Sequence, residues 1–160
     1  MIMFRIGIGT DIHRLTAGRP LYLGGVLVDA ERGAEGHSDA DALLHAVTDA
    51  IFGAIGEGDI GTHFPNSEDR WRNAESSVFL RYAVGMMKDR GYTVANLDSV
   101  IELESPKLRS YIEAMRENLA AALETETSAI SVKAKSGEGL DSVGEGRAVR
   151  AQAAILITRS

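Results

Sequence analysis

Two short runs near the start of the chain, residues 11–13 and 37–45, hold three of its four histidines. Asp11 and His13 are two residues apart, so on an extended segment their side chains point to the same side. Zinc prefers imidazole and carboxylate ligands and, in catalytic sites, keeps one position open. We therefore predict a zinc site formed by Asp11, His13 and His45, with Asp49 orienting the His45 ring from one helical turn away. The alternative is that these are ordinary polar residues at a strand end and a helix start.

Three further segments carry residue types suited to phosphate or cation binding. His37-Ser38 lies at a predicted helix start, where backbone N–H groups attract anions, although simple capping also explains it. The glycines of residues 58–65 permit close backbone approach to a ligand, and a plain surface loop is the alternative. Residues 133–138 combine two lysines, a hydroxyl and a carboxylate, which suit a phosphate and a divalent cation. The alternative is that they are simply an exposed strand end. No Walker pattern occurs, so a nucleotide P-loop is unsupported.

Composition narrows the class of protein. With 160 residues, of which 44% are hydrophobic, we expect a single domain spanning residues 1–160. The net charge of −6 argues against non-specific nucleic-acid binding, and the absence of cysteine excludes disulfides and thiolate chemistry. Charged residues interrupt the first twenty positions, and no apolar run is long enough for a bilayer. We therefore expect a cytoplasmic protein with no membrane partner.

The elements that must position these residues mix strands and helices. Ser38 is predicted to cap the first helix, with Asp41 three residues on, and Gly24-Gly25 to form a hairpin turn within residues 21–28. The other predicted elements are a strand at 4–9, a helix at 74–90 ended by Gly91, a strand at 94–103, a helix with Pro106 in its first turn, and strands at 130–135 and 149–157. This order favours an α/β (α+β) fold with a single mixed β-sheet and helices on one face.

Five blocks of the sequence together resemble a known enzyme family. They are Gly9-Thr10-Asp11-Ile12-His13, residues 36–41 with His45, Gly58-Asp59-Ile60-Gly61 with Phe64-Pro65, Ser105-Pro106-Lys107, and Lys133-Ala134-Lys135 with Glu138 and Gly144-Glu145-Gly146. In order and spacing they resemble the 2-C-methyl-D-erythritol 2,4-cyclodiphosphate synthases of non-mevalonate isoprenoid biosynthesis, over essentially the whole chain. The resemblance implies a homotrimer around a threefold axis with active sites between subunits.

The resemblance also implies a reaction. The 2-phosphate of 4-diphosphocytidyl-2-C-methyl-D-erythritol 2-phosphate attacks the β-phosphorus of the diphosphate, CMP leaves, and a cyclic diphosphate remains, which makes the enzyme a phosphorus-oxygen lyase. A phosphate dianion is already ionised near neutral pH, so no general base is needed. Catalysis then rests on positioning and on stabilising charge on the phosphoryl oxygens.

Residue roles follow from the same resemblance. Asp11, His13 and His45 match the family's zinc ligands, and Glu138 matches the carboxylate that holds a second divalent ion, Mg²⁺ or Mn²⁺. His37 and Ser136 match positions that stabilise the transition state. The substrate-binding matches are Ser38, Asp59, Ile60, Gly61, Phe64, Pro65, Asn66, Ser67 and Glu68 toward the methylerythritol phosphate, and Leu103, Ser105, Pro106, Lys107, Leu108, Arg109, Ala134, Lys135 and Ser136 toward the cytidine and phosphates.

Two rival functions fit parts of the pattern. A metal-dependent phosphohydrolase would use a zinc-bound water in place of the internal phosphate. A non-enzymatic isoprenoid-binding trimer would hold a structural metal, which takes four protein ligands, whereas the sequence offers three.

Overall fold

The computed structural model describes residues 2–65, 67, 68, 71 and 74–160, and these residues contain seven strands and five α-helices. The strands are β1 (Met3–Ala17), β2 (Leu21–Leu23), β3 (Val26–Val28), β4 (Arg32–Ala34), β5 (Thr93–Glu102), β6 (Ile130–Lys135) and β7 (Ala148–Arg159). The helices are α1 (Ala42–Ile55), α2 (Ile60–His63), α3 (Ser76–Asp89), α4 (Ile112–Leu123) and α5 (Asp141–Gly144), with a 3₁₀ turn at Thr127–Ala129.

Five of the strands form one mixed sheet in the order β4-β1-β7-β5-β6. Only the β5–β6 pair is parallel among these described neighbours, and the other pairs are antiparallel. Strands β2 and β3 form a separate hairpin around Gly24 and Gly25, both of which adopt a positive φ. The predicted mixed sheet and the hairpin turn are therefore confirmed. Strand β1 is much longer than the predicted residues 4–9, so Asp11 and His13 lie within it.

Helix α1 packs directly on the backbone of β1. A Cβ atom on Gly7 would lie 1.8 Å from the carbonyl oxygen of Ala50, and one on Gly9 would lie 1.8 Å from that of Ala46. Only glycine permits this close approach, because any other residue would push the helix off the strand. The contact sets the position of every α1 side chain relative to β1.

The start of α1 differs from the prediction. Asp41, not Ser38, is the N-cap residue, and its carboxylate accepts a 3.0 Å hydrogen bond from Leu44 N. The same carboxylate accepts from the backbone N–H groups of Gly24 and Gly25 at 2.9 and 2.7 Å. Asp41 is fully buried, and burial raises its pKa. Capping by Asp41 was missed because two of its three hydrogen-bond donors, Gly24 and Gly25, lie in the distant hairpin.

The remaining helices confirm most of the predicted order. Helix α3 ends at Asp89 and is followed by Gly91 with a positive φ, as predicted. Pro106 does not begin the next helix, which starts at Ile112 with Tyr111 as its N-cap residue. Pro106 follows a cis peptide bond in a turn, and Leu108 in that turn is buried in the core. The apolar spacing at Leu108 therefore reflects burial of a turn rather than a helix.

The helices cover one face of the sheet and leave part of the other exposed. On β1 the outward positions are occupied by large apolar residues: Phe4 is 60% exposed, Ile6 68%, Ile8 71% and Ile12 50%. We call these four residues the β1 outer stripe. Large apolar side chains exposed together on one face of a strand are typical of an interaction surface. Within the described residues, no helix is long and apolar enough to cross a membrane.

Candidate functional site

Asp11, His13 and His45 converge as the sequence predicts, and we call them the metal cluster. Asp11 Oδ2 lies 2.7 Å from His13 Nε2 and 2.9 Å from His45 Nδ1, and the two ring nitrogens are 3.2 Å apart. Strand β1 places Asp11 and His13 on its helix-facing side, and α1 supplies His45 across the glycine contact. Three ligand atoms from two adjacent elements therefore point at one position.

The geometry fits zinc. Two ligand atoms bound to one tetrahedral zinc ion lie roughly 3.4 Å apart, close to the separations in the metal cluster. The donor set of two imidazoles and one carboxylate is a known catalytic zinc set with a fourth position open. His13 Nδ1 lies 2.9 Å from the carbonyl oxygen of Glu35, so this nitrogen carries a proton, and a bound metal would take the place of the proton on Nε2.

Charge distribution in the cluster also favours a cation. Burial alone would raise the pKa of Asp11, but hydrogen bonds to His13 and His45 lower it well below its usual range. Burial lowers the pKa of His13, and its hydrogen bond to Asp11 outweighs this and raises it. Asp11 is therefore an anion at neutral pH and can offer its full charge to a bound metal.

Asp49 does not orient the His45 ring, which corrects the prediction. Its carboxylate accepts a 2.7 Å hydrogen bond from the backbone N–H of Ile60, and burial raises its pKa. His45 Nε2 instead lies 2.8 Å from Ser76 Oγ and 3.2 Å from Ser38 Oγ. The sequence favoured Asp49 because it lies one helical turn after His45. The hydroxyls of Ser38 and Ser76 come from outside the helix, so no regular spacing indicated them.

A cavity of about 360 Å³ opens onto the metal cluster. It is lined by Asp11, His13, Gly36, His37, Ser38, His45, Ile60, Gly61, Phe64, Glu68, Trp71 and Phe79. His37 is exposed at this cavity, and Ser38 is buried. The structure therefore brings the metal cluster together with much of the first group of substrate-binding matches.

The other described residues of this first group, Asp59, Pro65 and Ser67, are sequence neighbours of residues that line the cavity. Asp59 is the N-cap residue of α2 and accepts hydrogen bonds from the N–H and hydroxyl groups of Thr62, which lower its pKa. Pro65 and Ser67 follow α2 in the chain, and Asn66 lies outside the described residues. The anion site predicted at a helix start near Ser38 is not found there, because α1 begins four residues later.

Two aromatic residues of the cavity wall were not predicted. The Phe64 ring packs edge-on against Trp71 with 4.9 Å between centroids, and Phe79 lies 4.6 Å from Phe64. Trp71 is the only tryptophan in the chain, which was the one signal available for it. Phe79 lies on the buried face of α3, so its spacing indicated only a core residue. This wall gives the cavity an apolar side next to the metal cluster, since the Phe79 ring lies 6.1 Å from the His45 ring.

The second group of matches lies at the ends of β5 and β6. Ser136 Oγ donates a 2.5 Å hydrogen bond to Glu138 Oε1, and Glu104 accepts from the backbone N–H of Gly137 at 2.9 Å. Lys135 and Glu138 are exposed. We call Lys135, Ser136 and Glu138 the β6 cluster. Leu103 and Leu108 of the same group are buried, while Ser105, Lys107 and Arg109 are exposed and Pro106 is half-buried.

The β6 cluster is remote from the metal cluster within one chain. In the sheet register Asp11 pairs with Ala151, Ala151 with Ile101, and Ile101 with Ala134. Three strand spacings correspond to about 14 Å. None of residues 103–109 or 134–138 lines the cavity. Sequence reasoning therefore identified two groups of residues that a single chain does not bring into one pocket.

Comparison with known proteins places these residues in a family. Residues 4–158 match the model of the YgbB family. A protein of Solibacter usitatus named 2-C-methyl-D-erythritol 2,4-cyclodiphosphate synthase is 48% identical over 99% of this chain and 100% of its own. A protein of Geotalea daltonii with the same name is 51% identical over 97% of this chain and 91% of its own.

Solved structures give the same result. A structure of 2C-methyl-D-erythritol-2,4-cyclodiphosphate synthase is 42% identical, with a TM-score of 0.89 over 96% of this chain and 99% of the other. A form of that enzyme bound to CDP is 41% identical, with the same TM-score and coverage. The bifunctional IspDF from Campylobacter jejuni is 33% identical with a TM-score of 0.95, and this chain covers 43% of it.

Proposed function

The chain belongs to the YgbB family, and we propose from this membership and from its metal cluster that it is a 2-C-methyl-D-erythritol 2,4-cyclodiphosphate synthase. It converts 4-diphosphocytidyl-2-C-methyl-D-erythritol 2-phosphate to the cyclic diphosphate and releases CMP. Full-length similarity to relatives of that name is the observation that carries this conclusion. Because CMP leaves without net addition of water, the reaction class is a phosphorus-oxygen lyase.

The metal cluster is the proposed zinc site. Asp11, His13 and His45 hold the ion, and bound zinc would polarise phosphoryl oxygens as a Lewis acid and offset their charge. His37 is exposed at the same cavity and donates a hydrogen bond to those phosphoryl oxygens. The aromatic wall formed by Phe64, Trp71 and Phe79 limits water around the reacting phosphates. These residues hold attacker and leaving group in one orientation.

The β6 cluster is the proposed second cation and nucleotide site. Glu138 is exposed and carries a carboxylate suited to Mg²⁺ or Mn²⁺ on the diphosphate. Ser136, bonded to it, offers a hydroxyl to the phosphates, and Lys135 adds positive charge. The buried Leu103 and Leu108 anchor the neighbouring turn, from which residues 105–107 and Arg109 face the cytidine. A relative with CDP bound supports a nucleotide ligand here.

A homotrimer unites the two clusters. Within one chain the metal cluster and the β6 cluster lie about 14 Å apart across the sheet, so neither completes a site alone. The exposed β1 outer stripe supplies an apolar surface for packing sheets around a threefold axis. We propose that each active site combines the metal cluster of one subunit with the β6 cluster of its neighbour, and that residues 1–160 act as one catalytic domain.

Metal-dependent turnover tests this function. We would measure CMP release from the cytidylated substrate, with phosphorus NMR of the product, before and after metal is stripped. CMP release that needs metal, together with a cyclic diphosphate signal, is expected. An open-chain product would indicate the phosphohydrolase, and no turnover after metal is restored would indicate a binding protein. The named relatives favour neither rival.

A further inference from the structure

Metal-ligating histidines depend on the group bonded to their second ring nitrogen. That group fixes the ring orientation and the tautomer and raises the basicity of the ligating nitrogen. For His13 the group is the carbonyl oxygen of Glu35. For His45 it is a hydroxyl, Ser76 Oγ, at 2.8 Å from Nε2. A hydroxyl can turn either way, so it fixes the tautomer only if something else fixes the hydroxyl.

Asp39 supplies that constraint. Its Oδ1 accepts a short hydrogen bond from Ser76 Oγ, and its Oδ2 accepts from the backbone N–H of Ser76 at 3.1 Å. Ser76 is fully buried, so water does not compete for its hydroxyl. Because an ionised carboxylate only accepts, Ser76 must donate to Asp39 and accept from His45. With a metal bound, the proton of His45 then lies on Nε2, and Nδ1 presents its lone pair to the metal.

We propose that Asp39 and Ser76 form a positioning pair that orients His45 for zinc, in a directional chain from His45 Nε2–H to Ser76 Oγ–H to the Asp39 carboxylate. The proposal rests on the zinc site proposed above. Ser38 Oγ is a weaker second acceptor, because it lies 3.2 Å from His45 Nε2 and already accepts from Ala40 N.

The pair also joins the metal cluster to the cavity wall. Ser76 is the first residue of α3, and the same helix carries Phe79 one turn later. Asp39 lies between the cavity residue Ser38 and the α1 cap. The Asp39–Ser76 contact therefore fixes the start of α3, and with it one wall of the cavity, relative to His45.

Zinc affinity of single variants tests the proposal without an activity assay. S76A removes only the hydroxyl and keeps the backbone N–H bond to Asp39, so the attachment of α3 survives. Ser77 is a matched control, because it is the next residue of the same helix turn and its hydroxyl contacts Glu75 instead. Competition with a fluorescent zinc chelator gives the dissociation constant, and cobalt(II) substitution gives a visible spectrum that reports ligand geometry.

We expect S76A to raise the dissociation constant for zinc by about 10- to 100-fold and to alter the cobalt spectrum, while S77A changes neither. Equal zinc affinity in S76A and S77A would overturn the proposal. If S76A does not fold, D39N decides in its place, since the donating NH₂ group of Asn cannot replace one of the two carboxylate oxygens that accept from the hydroxyl and the N–H of Ser76. Weaker zinc binding supports the proposal, and unchanged binding refutes it. H45A distinguishes failure of the positioning role from failure of the zinc site, because zinc retention in H45A would refute the zinc site itself.

Discussion

The metal cluster and the β6 cluster differ in how fully the chain itself holds them. Each residue of the metal cluster is only partly exposed, and the second ring nitrogens of its two histidines contact Glu35 O and Ser76 Oγ. In the β6 cluster, Glu138 is exposed and accepts a hydrogen bond from Ser136, only two residues away. A preorganised ligand set binds metal with little reorganisation, whereas an exposed pair is free to rearrange around a ligand. The chain therefore holds the metal cluster more firmly than the β6 cluster.

The largest expected effect is on the metal cluster. H45A should remove bound zinc and abolish turnover, because only two protein ligands would remain and a catalytic zinc ion needs three. Zinc content by elemental analysis and CMP release measure both. H63A is the matched control, since His63 stacks on Phe52 at 4.2 Å and lies outside the metal cluster. Full activity in H45A would refute the metal assignment.

The second effect tests the rigid backing of the metal cluster. G9A should lower the free energy of unfolding by about 3 kcal/mol, because the new methyl group meets the Ala46 carbonyl and forces α1 away from β1. Chemical denaturation measures it. G85A is the control: its Cβ has open space within α3, and it should be neutral or stabilising by about 0.5–1 kcal/mol. Equal stability of the two variants would contradict the close packing.

A smaller effect is expected in the β6 cluster. S136A should slow turnover on the order of 10²-fold by removing a hydroxyl that meets the phosphates, while zinc content and the assembly state stay unchanged. Steady-state kinetics measures turnover, and light scattering measures the assembly state. Unaltered turnover would remove Ser136 from the mechanism, and loss of zinc would show that the two clusters are not independent.

The smallest effect concerns the second cation. E138Q should raise the Mg²⁺ or Mn²⁺ concentration needed for half-maximal turnover by about tenfold, because an amide is a weaker ligand than a carboxylate. Zinc content should not change. A metal titration identical to that of the unsubstituted enzyme would refute this role for Glu138.

Local patterns predicted much of this molecule, and tertiary contacts account for the rest. The strand at 130–135, the hairpin at Gly24-Gly25 and the convergence of the metal cluster followed from residue type and spacing. The cap of α1 was wrong, because Asp41 is held by a hairpin distant in sequence. The role of Asp49 was wrong for a similar reason, since Ser76 reaches His45 from another helix. Leu108 has the spacing of a helical residue only because a turn buries its side chain in the same core as α4.

Other expectations remain predictions. The roles of the β6 cluster and the homotrimer rest on resemblance together with the incompleteness of the single-chain cavity, and the cytoplasmic location is a prediction from sequence alone. The residue pattern of one chain does not predict which surface of a second copy will contact it.

Mixing two inactive subunits tests the shared active site most directly. H45A lacks the metal cluster and S136A lacks the β6 hydroxyl, and the two chains would be unfolded, combined in equal amounts and refolded with zinc. If each site joins two subunits in a closed ring, about a quarter of the sites regain both intact halves, and turnover should rise far above the mean of the parents. Turnover equal to that mean would contradict the account, because it would place both halves of the site in one chain.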